Sequence, residues 1–423
     1  MSAARSGRVP GGPLYGRALL AVVAAYLMVL LVKLALAPSL EWRYLAPLGV
    51  FILMLAVVRV GLRVVSFRGD HLLLSIALFL AGLGLVLQFR MGTLNVLAIH
   101  AAATYALPLG LAALLLMLVL FGGGRARHLA GAAIPCAFAA LGVLAVVLVL
   151  GHRFRGAVFL AGYLNPTEVV KILLVVYAAG LLTTYRKALE QPVLPGVPQP
   201  EPGLLLSLAA FWLLPMGLLV LMRDLGLIAL LNATLLIMVV LLTGRWSYLV
   251  AGLAVAAAAG WALLQFMPHG TGRVGVWLNP FAEPTGRGWQ TLQGLSAMYS
   301  GGLWGAGLGA GHPHTVPIAA SDFIYAALAE EIGYVGCGLV LLAYLVFFYR
   351  GFRIADSLRD PFAQGLASGL ITLLALQTLF NIGGVTKALP LTGLTLPFLS
   401  HGGSSLVTSF AMLGLLLALS DRK

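Results

Sequence analysis

Apolar residues run along this chain in blocks of about twenty, the helix length that crosses a hydrocarbon core of about 30 Å. Within the blocks the apolar pattern is continuous rather than alternating, which excludes a β-barrel. Twelve blocks can be drawn, at 18–37, 44–62, 71–89, 103–121, 129–150, 166–184, 204–222, 225–243, 246–266, 323–349, 362–385 and 403–420. The pattern predicts an all-α, polytopic helical membrane protein with about 12 transmembrane helices. The first block ends Ala35-Leu36-Ala37, like a signal-peptidase site. It is longer than a signal h-region and Lys33 interrupts it, so it reads as a retained span.

Two stretches break the pattern. Residues 185–203 are rich in proline and read as an extended cytoplasmic linker. Residues 267–322 form a large polar loop between the ninth and tenth spans. Unstructured loops of that length are uncommon and usually functional. Inside it, Trp289 to Ser300 is apolar on one face and predicts a short interfacial helix. Gly301 to Gly311 is so rich in glycine that it reads as an irregular, flexible flap.

Composition and charge sharpen this picture. The chain is 61% hydrophobic and 9% charged, where a soluble domain carries about 25% charge. With both termini cytoplasmic, and with Arg59 near the inner end of the second block counted inside, sixteen Lys and Arg fall on the inside and eight in outside segments. That bias satisfies the positive-inside rule and puts 267–322 on the outer face. It also accounts for the net charge of +13 without nucleic acid. Cys136 and Cys337 both lie in apolar blocks without metal-ligand spacing and read as packing residues.

A charge at membrane depth costs about 2.5–3.5 kcal/mol on insertion scales, so it needs a cavity or a partner. Glu168 and Lys171 are three residues apart, share a helix face and can pair. Pro166 before them suits a first helical turn. The pair either fixes helix packing or faces a substrate head group. Arg153 and Arg155 are ordinary interfacial arginines or a phosphate clamp. Arg223-Asp224 reads as a charged turn between helices. Asp322 heads an apolar helix, where it either caps the N-terminus or serves as a reactive carboxylate. Glu330 and Glu331 are adjacent, point to different faces, and so do not form a close carboxylate pair. One is expected to meet a basic group and the other polar backbone.

Several patterns carry no chemistry. Gly305 to Gly311 has no preceding strand and no following Lys-Ser/Thr, which excludes a nucleotide loop. His312 and His314 are too few for a metal site. Ser404 and Ser405 lack a Gly-x-Ser-x-Gly setting.

At these residues the chain resembles the SEDS family (shape, elongation, division and sporulation), with a lean toward its RodA-like members. The matching runs are Asn165–Lys171, Asp224-Leu225-Gly226, Trp277-Leu278-Asn279-Pro280-Phe281, Gly301–Gly311, Ser321–Gly336 and Asn381–Ser405, in the family's order. The resemblance implies an N-terminal helical region, 1–150, with two spans more than the family's ten, and a catalytic membrane core, 151–423. It implies a peptidoglycan glycosyltransferase that polymerises lipid II on the outer membrane face beside a class B penicillin-binding protein transpeptidase. The family's essential Asp falls on Asp322. Arg153, Arg155, Glu168, Lys171, Arg273, Lys387, His401, Ser404 and Ser405 become the expected substrate-binding residues. The resemblance fixes no cofactor. A divalent cation (Mg or Mn) bridging the pyrophosphate would suit the chemistry, though no clear ligand set stands out. The chain departs from the family in lacking a Trp after Arg155, in His401 where Tyr is usual, and in Leu227 where Thr is common. The alternative is a flippase for a lipid-linked precursor, which should place its charges near the midplane, often with inverted repeats. Here the polarity gathers toward the outer face and no repeat is evident.

Overall fold

A computed structural model describes residues 22–24, 26–27, 30, 45–92, 106–154, 157–160, 165–190, 201–266 and 268–421. The described chain is helical almost throughout. Its helices are α1 (Ala46–Val64), α2 (His71–Arg90), α3 (Ala106–Phe121), α4 (Ala133–Leu150), α5 (Thr167–Thr184), α6 (Arg186–Glu190), α7 (Pro202–Leu208), α8 (Leu214–Leu221), α9 (Leu225–Thr243), α10 (Trp246–Phe266), α11 (Pro268–Leu278), α12 (Trp289–Gly301), α13 (Ile324–Ser357), α14 (Pro361–Val385) and α15 (Gly403–Ser420). A π-helical turn joins α7 to α8. The strands among the described residues are β1 (His152–Phe154) and β2 (Ala157–Phe159), an antiparallel hairpin.

Among the described residues, nine helical segments are long and apolar enough to cross a membrane, and two shorter apolar helices accompany them. The expected first span lies largely outside the described residues. Its described positions Val22–Ala24, Tyr26–Leu27 and Leu30 are helical. Val22, Tyr26 and Leu30 are buried at fourfold spacing with Phe51, Leu85, Val86 and Phe89, a cluster separate from the main core.

Local chemistry sets several helix starts. Asp70, Asp224 and Asp360 accept the N–H of the third residue on, at 3.0 Å or less, and so cap α2, α9 and α14. Arg223-Asp224 is the charged turn the sequence predicts, with Arg223 at φ +63°. Gly244 ends α9 at φ +68°.

Helix α14 is the centre of the bundle, packed by α5, α9, α13 and α15. Helices α3 and α15 lie along each other. A Cβ on Gly414 would stand 2.6 Å from the Leu114 carbonyl, and one on Gly110 would stand 2.7 Å from the Phe410 ring. Small residues bring helices close in lipid, where packing rather than water exclusion drives association. At one end, Arg350 Nη2 lies 2.5 Å from Asp70 Oδ2 and the Arg68 N–H donates to Asp421 at 3.0 Å. These bonds tie the starts and ends of α2, α13 and α15 together. The opposite end carries the starts of α5, α9, α13 and α15, and gathers the polar groups.

The long loop is more ordered than its composition suggests. It contains α11, α12 and two 3-10 turns, and α12 covers the predicted 289–300 helix. The Gly-rich run is no flap. Helix α13 breaks at Gly333 (φ +67°, ψ −176°), and the run is hydrogen-bonded into the break. Ala306 and Gly307 N–H donate to the Glu330 and Glu331 carbonyls, while Tyr334 and Val335 N–H donate to the Gly302 and Leu303 carbonyls. The backbone groups that a helix break leaves without partners are thereby satisfied. The residues after the break, 334–357, rise about 36 Å and suffice to span a bilayer. Of the linker expected at 185–203, residues 191–200 lie outside the described residues.

Candidate functional site

Polar side chains meet where the segment between α14 and α15 turns back into the bundle. Lys171, fully buried on α5, pairs with Glu168 at 2.5 Å and donates to Gln377 Oε1 at 3.0 Å. Gln377 Nε2 donates to the Thr395 carbonyl at 2.9 Å and lies 3.3 Å from Ser405 Oγ. Thr395 and Ser405 hydroxyls are 2.6 Å apart. Thr408 donates to Glu168 at 3.2 Å, and Ser404 Oγ accepts the Asn165 N–H at 2.9 Å. Burying an ion pair is costly unless further hydrogen bonds satisfy it, and this network supplies them. The predicted residues Glu168, Lys171, Ser404 and Ser405 are therefore together.

One turn along α14, Asn381 Nδ2 donates to the Asp322 carbonyl at 2.9 Å and to the Leu394 carbonyl at 2.7 Å. The N-cap position of α13 falls on Phe323, one residue after Asp322. Asp322 Oδ2 lies 3.8 Å from where a Cβ on Gly393 (φ +77°) would stand, so the carboxylate borders the returning segment. Arg273 of α11 donates to the neighbouring Thr392 carbonyl at 3.1 Å. Lys387 sits at φ +61°, and its carbonyl accepts the Trp277 indole N–H at 3.1 Å. A Cβ on Gly226, at the start of α9, would stand 2.7 Å from the Thr392 carbonyl. Segment 387–393 thus brings Asp322, Arg273 and Lys387 to one border.

The other predictions fare differently. His401 is outside the network, its ring bonded to Gln88 of α2 at 2.9 Å. The Arg153 backbone lies in β1, and Arg155 lies outside the described residues. Glu330 and Glu331 both turn to the Gly-rich run: a Cβ on Gly311 would be 3.4 Å from Glu330 Cδ and 3.2 Å from Glu331 Oε1. The expectation that they diverge is corrected, because the break at Gly333 lets the run wrap around both. As expected, one meets a base. Glu331 lies 3.4 Å from Arg90 and accepts the Gly309 N–H, while Glu330 accepts the His312 N–H at 2.8 Å. Cys136 and Cys337 are free thiols. Among the described residues no three His, Cys, Asp or Glu side chains come together as metal ligands.

Sequence reasoning assigned no role to Gln377, Asn381, Thr395 or Thr408. The first two carried a usable signal: polar residues four apart in an apolar span share a face.

The fold and site define a polytopic membrane protein with a buried Lys–Glu–Gln network and, at one end, a carboxylate and an arginine that border the same returning segment. The profile of the FtsW/RodA/SpoVE family, described as cell cycle protein, matches residues 70–423. The chain belongs to that family. It is 37% identical over 366 residues to the peptidoglycan glycosyltransferase RodA of Mycobacterium tuberculosis, covering 83% of this chain and 78% of the relative. Among solved structures it is similar to RodA of Thermus thermophilus, with TM-score 0.58 and 28% identity over 84% of this chain and 97% of that one. It also resembles a chain from a structure titled as the structural coordination of polymerization and crosslinking by a peptidoglycan synthase complex. There the TM-score is 0.65 and the identity 29%, over 84% and 98% of the two chains.

Proposed function

We propose that this chain is a peptidoglycan glycosyltransferase that polymerises lipid II, the undecaprenyl-pyrophosphate-linked disaccharide-pentapeptide, into glycan strands. Family membership and the RodA relatives support the reaction class over the flippase. The substrate, the partner and the residue roles are our own reading. Both termini are placed in the cytoplasm by the charge bias, so the reaction occurs on the outer face of the membrane. The partner is a class B penicillin-binding protein transpeptidase, a reading supported by the similar chain's synthase complex. The two spans before residue 70 are additions to a membrane core.

Asp322 is the general base in this reading. It takes the proton of the acceptor sugar 4-hydroxyl as that oxygen bonds to the donor anomeric carbon. The bond from that carbon to the diphosphate breaks, and its electron pair leaves with the diphosphate. Arg273 and Lys387, with Arg153 and Arg155, stabilise the departing charge. The Glu168–Lys171 network, with Ser404 and Ser405, holds the returning segment in place and borders the head group. The observation that carries the reading is the meeting of Asp322 and Arg273 on residues 392–393.

The test is lipid II polymerisation by purified protein. Asp322→Asn should lower the rate at least 100-fold, as expected when a general base is lost, with an unchanged melting temperature. A normal rate from Asp322→Asn would refute the assignment. Translocation of labelled lipid by Asp322→Asn vesicles at the wild-type rate, with no polymer from either protein, would favour the flippase.

A further inference from the structure

The His401 ring points into a mainly hydrocarbon pocket formed by Phe51 and Met54 of α1, Leu85 of α2, Leu107 of α3 and Phe398. The ring meets Gln88 there, 8% exposed, whose Oε1 lies 2.9 Å from His401 Nδ1. The same residue's backbone N–H donates to the Ala320 carbonyl at 2.7 Å. Its neighbour Ser400 donates from Oγ to the Ser321 carbonyl at 2.6 Å and accepts the Leu396 N–H at 2.8 Å. Ala320 and Ser321 are the two residues immediately before Asp322. A short chain of bonds therefore leads from α2 through Gln88 and His401 to the backbone that carries the Asp322 carboxylate.

A second tie from α2 lies two residues further on. Arg90 Nη2 donates to the Gly311 carbonyl at 2.7 Å, and its guanidinium pairs with Glu331. Asp322 lies between Gly311 and Glu331 in sequence. The outer end of α2 thus holds the Asp322 segment on both sides, once through each residue.

We propose that the Gln88–His401 hydrogen bond is a positioning contact that sets the orientation of Asp322 for its reaction. The proposal rests on the general-base reading of Asp322. His401 does not touch the reacting atoms. It acts by fixing residues 320–321, because a catalytic group works only when held within about 0.5 Å and 10–20° of its productive geometry. With Gln88 opposite, the ring donates from Nδ1, and a side chain here must place a donor close to its own Cβ. Asparagine can do so, since its amide nitrogen occupies the position of Nδ1. Glutamine reaches the position of Nε2 instead.

The test compares His401→Asn, His401→Gln, Gln88→Leu and the double variant Gln88→Leu/His401→Gln, as full chains, in lipid II polymerisation. His401→Gln and Gln88→Leu should each lower kcat about tenfold, in keeping with small misplacements of a reacting group, with KM within about twofold. His401→Asn should recover most of the lost rate. The double variant should lose no more than either single one, because both remove the same bond. Equal loss in the Asn and Gln variants, multiplying losses, or a change mainly in KM would overturn the proposal. Melting temperatures accompany each rate. If Gln88→Leu misfolds, the Asn–Gln comparison at position 401 decides alone. Asp322→Asn runs in the same assay: if it keeps its rate, the general-base reading falls and this proposal with it. Failure of the Asn–Gln contrast with an inactive Asp322→Asn removes the positioning role alone.

Discussion

Lys171 shows how a single residue is committed by its surroundings. Its ammonium is buried between Glu168 and Gln377. Lys171→Met would leave the Glu168 carboxylate largely desolvated without its counter-charge. Removing one partner of a buried pair costs about 3–5 kcal/mol. The expected outcome is a large fall in melting temperature, mostly restored in Glu168→Gln/Lys171→Met, where no charge is left unpaired. His401 makes a smaller, pH-dependent contribution. Burial holds its imidazole below the ordinary value of 6.5, so the folded state prefers the neutral ring. That preference costs nothing well above about pH 6.5 and destabilises the fold as pH falls through the lowered folded value. Thermal unfolding at stepped pH should show a drop on the acid side that is shallower in His401→Asn. The sequence identified Glu168 and Lys171 as a pair from their spacing alone. It could not identify Gln88 as the partner of His401, because 313 residues separate them.

At the level of elements, the break in α13 is the feature on which the end of the bundle that carries Asp322 depends. Gly333 lies at a positive φ that favours glycine, and a Cβ there would collide with the Gly305 amide and the Leu303 carbonyl. Gly333→Ala should therefore unseat residues 302–311 from the helix. Limited proteolysis would detect this as new cleavage in the run, and polymerisation should fall with it. Intact resistance with full activity would show that the run can seat without the break. Composition alone made this stretch look flexible, since glycine permits many conformations. The same absence of a side chain permits close backbone packing. Which of the two applies depends on a second segment, and nothing local marks α13 as that segment. Helix α14 teaches a similar lesson. Its apolar length was legible, but the roles of Gln377 and Asn381 depend on which helices surround it.

For the whole molecule, Val22, Tyr26 and Leu30 of the expected first span cluster with Leu48 and Phe51 of α1 against α2, before the family match at 70–423, while Val58 and Leu62 of α1 join the main core. An even number of added spans leaves the orientation of the core unchanged. A chain starting at Ser66 should therefore keep its C-terminus on the same side as the full chain, as read by reporter fusions at the C-terminus. Opposite placement would refute the pairing of those spans. The ties of Asp70 to Arg350 and Arg68 to Asp421 would survive in that chain and should preserve its melting cooperativity.

Hydrophobic block length determined the all-helical membrane class, because a bilayer demands apolar runs of a fixed length with every backbone group bonded inside the helix. Charge counting indicated a side, and short motifs indicated the family. All three are local or additive properties of the chain. The tertiary structure decided what residues far apart in sequence do to one another: that Asp322 borders Gly393, that the glycine run closes a break in α13, and that Lys171 is shared by Glu168 and Gln377. Those outcomes rest on hydrogen bonds and close packing between segments, whose strength depends on distances that a one-dimensional pattern does not contain.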